Sequence, residues 1–143
     1  MSRSDHLLLA RVRIAIRALN RAIEAGSGAA GLTVQQQGFL LAISARGGRD
    51  VPLAEIRAEM RMDQATASDL LARLGRRGLV RRAAGEDRRS ILLTITREGR
   101  SLLERSVREV RAALRAADKA GELDAFANSM SAYLRYYGIG RRR

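Results

Sequence analysis

The run from Asp63 to Thr96 carries its own start and stop signals, and it limits what the rest of the chain can fold into. Its first part reads as a helix of about four turns. On a wheel of about 100° per residue, Ala67, Leu70, Leu71 and Leu74 gather on one side, while Ala65, Ser68, Asp69, Ala72, Arg73 and Arg76 fall on the other. One side suits a core and the other is left bare for a partner. Asp63 is a good N-cap, since its carboxylate can accept from an orphan amide of the first turn, and Gly78 is a good residue just past the end. Leu79 to Arg82 then reads as a strand, Ala84 to Arg88 as a turn containing Gly85, and Ser90 to Ile95 as a returning strand. Between Arg73 and Arg100, nine arginines stand against Glu86, Asp87 and Glu98, a local excess of six positive charges and half of the chain's net +12. A concentration of this kind marks a face that meets an anion.

The preceding segment supports a particular motif. Pro52 near a first turn, followed by Leu53, Ile56 and Met60, predicts a short helix ending about Arg61, one tight turn before Asp63. Two short helices joined this way, the second with a polar outer side, form a helix-turn-helix, and the hairpin that follows makes it a winged one.

The flanks are helical. Ser4 to about Glu24 carries Leu8, Val12, Ile16, Leu19 and Ile23 at helical spacing, thickened by Leu9 and Ala15, and Ala25 to Gly31 reads as a flexible link. Thr33 opens another helix with a capping box through Gln36, buries Val34, Phe39, Leu40 and Ile43, and is stopped by Gly47 and Gly48. Thr96 begins a long helix to about Lys119, striped by Leu102, Leu103, Val107, Val110 and Leu114. At about 23 residues it would extend roughly 35 Å, more than a domain this small covers alone. Glu104 with Arg108, and Arg105 with Glu109, are expected as pairs on its solvated side. Gly121 breaks the helix. Glu122 to Tyr137, with Leu123, Phe126, Met130, Tyr133 and Leu134, reads as a last helix, and Arg141 to Arg143 as a frayed end.

Composition narrows the function. At 143 residues the chain makes one domain, 1–143. Its charge argues for nucleic acid, an anionic surface or an acidic partner, the plain alternative being a basic protein with a solvated surface. Of 27 basic residues only Lys119 is lysine, which reflects biased composition as much as phosphate recognition, so clustering carries more weight than the total. There is no cysteine and the only histidine is His6. That leaves no disulfide or thiol switch and little for a metal site, and no metal or cofactor is expected. The central region also lacks a His, a G-x-S-x-G and a phosphate-binding glycine loop, so an enzyme has little behind it. Glu55 and Glu59 read as a solvated helix face. No window reaches the roughly 20 apolar residues of a membrane span, and Arg11 and Arg13 interrupt the short apolar run Leu7 to Ala10, so a cytoplasmic protein without a membrane partner is expected.

The order of elements, with GLVRR after the helix and DRRSILLTITREGRSLLE from Asp87 to Glu104, resembles the MarR family of bacterial winged-helix transcriptional regulators. The residues that carry the resemblance are Asp87 and Arg89 in the wing, Thr96, Gly99 and Arg100 at the start of the long helix, and Leu32-Thr33. It covers most of Leu32 to Glu104, and the terminal helices match only in length and pattern. The fold class expected is therefore mainly α with a small β-hairpin wing, a winged helix-turn-helix with terminal dimerisation helices. Its core spans 32–100, and its dimerisation helices span 4–24 and 97–137. The resemblance implies a homodimer, and apolar stripes at both termini agree, since unpartnered they would be exposed patches. The plain alternative is that these helices cover the monomer's own core.

The resemblance also implies double-stranded DNA as partner and a small-molecule effector, for which no pocket residue can be named. A two-fold dimer presents two such helices to major grooves about 34 Å apart, so the site would be an inverted repeat. On the helix, Ala65, Thr66, Ser68, Asp69 and Arg73 lie on or flank the bare face. Thr66 and Ser68 suit phosphate or base, or else local helix hydrogen bonds. Arg73 suits a guanine edge. Asp69 departs from the family, whose members commonly carry Arg there. It either accepts from a cytosine amino group or pairs with Arg73 one turn on, the reading favoured here, or it marks a protein that binds DNA poorly. In the wing, the resemblance places Arg89 in the minor groove with Asp87 holding it, and Asp87 can accept both from the turn's backbone and from Arg89. Arg82 and Arg88 are then phosphate contacts. The competing function is a basic winged-helix dimer that binds a protein or an anionic surface, with Asp69 as its best support.

Overall fold

The computed structural model describes residues 2–118, 121, 129–130, 132–134 and 137. Most of the expected helix Glu122 to Tyr137, together with Lys119 and Arg141 to Arg143, lies outside the described residues. The elements run α1 (Arg3–Ala29), α2 (Val34–Ala45), β1 (Val51–Pro52), α3 (Leu53–Met60), α4 (Gln64–Arg76), β2 (Val80–Ala84), β3 (Ile91–Ile95) and α5 (Arg97–Ala117).

Helix α1 is longer than its sequence suggests. Ser2 and Asp5 close a capping box at its start, and the segment expected as a glycine link continues the helix to Ala29. The reason is a close approach to α5: a Cβ added at Gly26 would lie 2.5 Å from the Val110 nitrogen and 2.7 Å from its Cα. Glycine is there so that two backbones can touch. The buried face of α1 is Val12, Ala15, Ala22, Gly26 and Ser27, and Ile16, expected on the buried stripe, is exposed. Val12, Ala15, Ala22 and Gly26 follow one another at intervals of three, seven and four residues, as packing along a neighbouring helix requires.

Thr33 and Gln36 form the expected reciprocal cap of α2, at 3.1 and 3.0 Å. Phe39, Leu40 and Ile43 are fully buried, whereas Val34 is 45% exposed instead of packed. A buried hydrogen bond of 2.6 Å from Gln37 Nε2 to Ser106 Oγ ties α2 to α5. Pro52 belongs to a two-residue strand before α3, so the hairpin becomes a three-stranded antiparallel sheet of order β1-β3-β2. Val51 pairs with Leu93, and Val80 through Ala84 pair in reverse with Ile95 through Ile91. Glu55 and Glu59 are not merely solvated: both grip the Arg46 guanidinium at the end of α2, Glu55 at 3.2 Å. This contact, with Glu59 first, holds the Arg46 pKa above its ordinary value.

The core joins Phe39, Leu40 and Ile43 of α2 with Leu53 and Ile56 of α3, Leu70, Leu71 and Leu74 of α4, Leu93 and Ile95 of β3, and Leu103 of α5. Thr96 locks the last joint. Its Oγ1 accepts from the Gly99 amide at 3.0 Å and donates to the Gly78 carbonyl at 2.6 Å, while its own amide donates to the Leu79 carbonyl at 3.0 Å. A Cβ on Gly99 would fall on that same Leu79 carbonyl. The Thr-x-x-Gly pattern is therefore the clamp that seats α5 against the exit from α4. The expected pairs Glu104–Arg108 and Arg105–Glu109 are not among the salt bridges of the described residues.

Candidate nucleic-acid interface

Helix α4 has the two faces its spacing predicts. Ala67, Leu70, Leu71 and Leu74 are buried, and Ala65, Thr66, Ser68, Asp69 and Arg73 are exposed. Asp63 Oδ1 accepts from the Thr66 amide at 2.7 Å, and this backbone bond holds the Asp63 carboxyl below its ordinary pKa. At the other end the Leu79 amide reaches the Leu74 carbonyl at 3.0 Å and the Gly78 amide the Gly75 carbonyl at 2.9 Å, with Gly78 at φ 68°. This double closure needs the left-handed residue and directs the chain straight into β2. The Asp63 carboxylate also takes the Thr66 side chain as a hydrogen-bond partner, so local capping engages the Thr66 hydroxyl, whereas the Ser68 hydroxyl makes no hydrogen bond among the described residues.

Asp69 and Arg73 form a salt bridge of 2.9 Å one helical turn apart, with side chains 61% and 59% exposed. The carboxylate fixes the direction of the guanidinium while both groups remain open to solvent. An exposed pair of this kind contributes little to stability, about 0–1 kcal/mol, so its importance lies in what it presents.

The wing turn is built on Asp87. Its Oδ1 accepts from the Arg89 amide at 3.1 Å, and its carbonyl accepts from the Ser90 amide at 2.8 Å and the Ser90 hydroxyl at 2.7 Å. Asp87 therefore orders the backbone beneath Arg89, and the direct pairing with the Arg89 guanidinium considered from sequence is not formed. The difference follows from distance along the chain: in a tight turn the neighbouring amide is within reach without ordering a long side chain. Arg82, Arg88 and Arg89 are exposed and, with Arg81, take part in no salt bridge among the described residues.

Two features here escaped the sequence reading. Arg49, Asp50, Arg81, Arg82, Ala83 and Thr94 line an open recess of about 500 Å³ at the base of the wing. Strand alternation could have singled out Arg81, which pairs with Thr94 across the sheet. Arg57 Nη1 donates to Gln64 Oε1 at 2.5 Å, bracing α3 against the first residue of α4. No local pattern signals that bond.

A helix-turn-helix followed by a hairpin whose guanidiniums have no carboxylate partner among the described residues defines a winged-helix protein with a basic outer face. Residues 30–90 match the model of the MarR family. The chain has the fold of the MarR-family transcriptional regulators. A MarR-family transcriptional regulator from Rhodococcus sp. RHA1 is 23% identical, over 93% of this chain and 95% of that one, with a TM-score of 0.70. The M. tuberculosis transcriptional regulator MOSR, solved in complex with DNA, is 26% identical over 85% and 92%, with a TM-score of 0.61. CouR from Rhodococcus jostii RHA1, solved with p-coumaroyl-CoA, is 25% identical over 92% and 90%, with a TM-score of 0.66. No curated protein matches the sequence. Among the described residues no helix is long and apolar enough to cross a membrane.

Proposed function

We propose that this protein is a dimeric transcriptional regulator that binds an inverted-repeat operator, with α4 in the major groove and the arginine-tipped wing in the minor groove. The observation that carries this reading is the outer face of α4: Thr66, Ser68, Asp69 and Arg73 are all exposed on a helix whose other face is fully packed. A helix held rigidly on its inner side, with hydrogen-bonding groups on its outer side, is what major-groove readout requires. Beside it, Arg82, Arg88 and Arg89 supply cations that have no salt-bridge partner among the described residues, and neutralising phosphates with them would release counterions. MOSR, of similar fold, was solved with DNA.

The chain acts in this reading as one domain, its 32–100 core carried by dimerisation helices at 4–24 and 97–137. Leu7 and Ile14 of α1 are each 56% exposed and lie seven residues apart on one side of that helix, as residues covered by a partner protomer would be. Dimerisation sets the distance between the two α4 helices. A small ligand then regulates binding only if its affinity differs between the spacing that fits DNA and one that does not. CouR, of similar fold, was solved with p-coumaroyl-CoA, and the ligand of this chain is a separate question of pocket chemistry.

The test is selection from a pool of random duplexes with the purified protein, with sequencing of the bound fraction. The expected result is one inverted repeat whose half-sites are about 10 base pairs apart, centre to centre. Recovery of duplexes no different from the input pool overturns the proposal and favours a basic module that binds a protein or an anionic surface.

A further inference from the structure

Asp69 is an anomaly on a face meant for a polyanion, since a carboxylate near phosphate is repelled. Its geometry gives that charge a use. Its Oδ2 accepts from Arg73 Nη2 at 2.9 Å, and both side chains remain exposed, so the pair presents a fixed arrangement with guanidinium donors on one side and free carboxylate lone pairs on the other. Nothing else among the described residues competes for either group, because neither appears in another salt bridge or hydrogen bond.

Base edges in the major groove differ in what they offer such a pair. The guanidinium finds its best match in guanine, whose O6 and N7 both accept. The carboxylate can only accept. Thymine offers it an O4 acceptor and a methyl group, and guanine two acceptors, so both repel it or leave it unpaired. Adenine offers an amino donor, but beside the N7 lone pair. Cytosine alone offers its N4 amino group with no neighbouring acceptor on the exposed edge. Tying Asp69 to Arg73 keeps the two readers together, so the bases they read must be neighbours.

We infer that the Asp69–Arg73 pair is a composite reader that requires a cytosine within one base pair of the guanine taken by Arg73, and that Asp69 acts as a specificity-determining residue that trades general affinity for this discrimination. The inference rests on the placement of α4 in the major groove proposed above. A cytosine satisfies the carboxylate, whereas any other base buries it against acceptors or without a partner. Every duplex also pays the repulsion between Asp69 and the backbone phosphates, so sequences lacking the cytosine are held back more than the correct one. The discrimination is a wrong-base penalty as much as a right-base gain, and it amounts to roughly ten- to a hundredfold in affinity.

The experiment is selection from random duplexes with wild type, Asp69→Asn, Asp69→Ala and Arg73→Ala, followed by dissociation constants for the wild-type consensus and for duplexes changed at single positions. Because the pair is exposed, all four proteins fold, and matching melting curves verify this. The expected result is a wild-type consensus with C beside G in each half-site. Asp69→Asn and Asp69→Ala then lose the preference at the cytosine while binding random duplex several times more tightly, and Arg73→Ala loses the guanine. If wild type selects an inverted repeat but Asp69→Asn changes no position in it, the inference is wrong and the proposed function stands. If wild type selects nothing, both fall. Tighter binding to random DNA without loss of the cytosine preference also overturns the inference, since charge removal alone would explain it.

Discussion

Two glycines separated by one residue in α1 should respond to the same substitution with opposite signs. In a helix interior, Gly→Ala removes an entropic cost of about 1 kcal/mol. At Gly28 nothing lies within 4 Å of the added Cβ, so this gain is uncompensated. Near the helix end Gly28→Ala should stabilise the protein by about 0.4–1 kcal/mol. At Gly26 the added methyl would stand 2.5 Å from the Val110 nitrogen and 2.7 Å from its Cα. Unstrained carbon contacts lie at about 3.5–4.0 Å, so α1 and α5 would have to part locally by about 1 Å, enough to forfeit a quarter to a half of each dispersion contact along the seam. Such overpacking costs about 1–3 kcal/mol and outweighs the helix gain. The two variants should therefore bracket wild type and differ by about 2 kcal/mol. Urea unfolding followed by circular dichroism, at one fixed protein concentration because the stability of the proposed dimer would depend on it, measures the difference. Equal stabilisation by both substitutions would refute the close approach of α1 to α5 and, with it, the account of why the helix runs through a glycine-rich segment.

Other perturbations follow from single contacts. Ser106→Ala leaves the buried Gln37 amide without its 2.6 Å partner and should cost about 1–3 kcal/mol, with Gln37→Leu in the same background recovering part of the loss in a denaturation cycle. Asp63, whose carboxyl is held below its ordinary value of 3.8 mainly by the Thr66 amide, contributes stability that is fully present above that value and lost as pH falls through the lowered one. Asp63→Asn should flatten this part of an acid titration of unfolding while leaving the neutral range nearly unchanged, because Asn caps without a charge. Asp87→Ala removes the 3.1 Å acceptor that orders the Arg89 amide, so it should weaken DNA binding measured by fluorescence anisotropy with little change in melting temperature.

The parts of this fold that sequence revealed are those whose causes are local. Asp63, Thr33 and Thr96 cap helices through atoms three residues away, and Gly78 ends α4 by its own backbone freedom, so those boundaries could be read directly. The buried side of α4 was equally legible, because one helix face packs throughout. What sequence missed is set by distant contacts. Gly26 looks like a link until Val110 is placed against it. Val51 and Pro52 are a strand only because Leu93 and Leu92 pair with them. Glu55 and Glu59 look solvated until Arg46, at the end of another helix, is brought between them. At the candidate interface the Asp69–Arg73 pair was readable as a one-turn spacing, whereas the choice of Asp87 between backbone and side chain depended on the turn's actual geometry.

The most direct test of the central claim is the dissociation constant for the selected inverted repeat and for a scrambled duplex of the same composition, across a salt series, with wild type and Arg89→Ala. The account predicts at least a thousandfold preference for the repeat, affinity that falls steeply with salt, and a shallower salt slope for Arg89→Ala. Equal affinity for both duplexes, with a slope unchanged by Arg89→Ala, would contradict it.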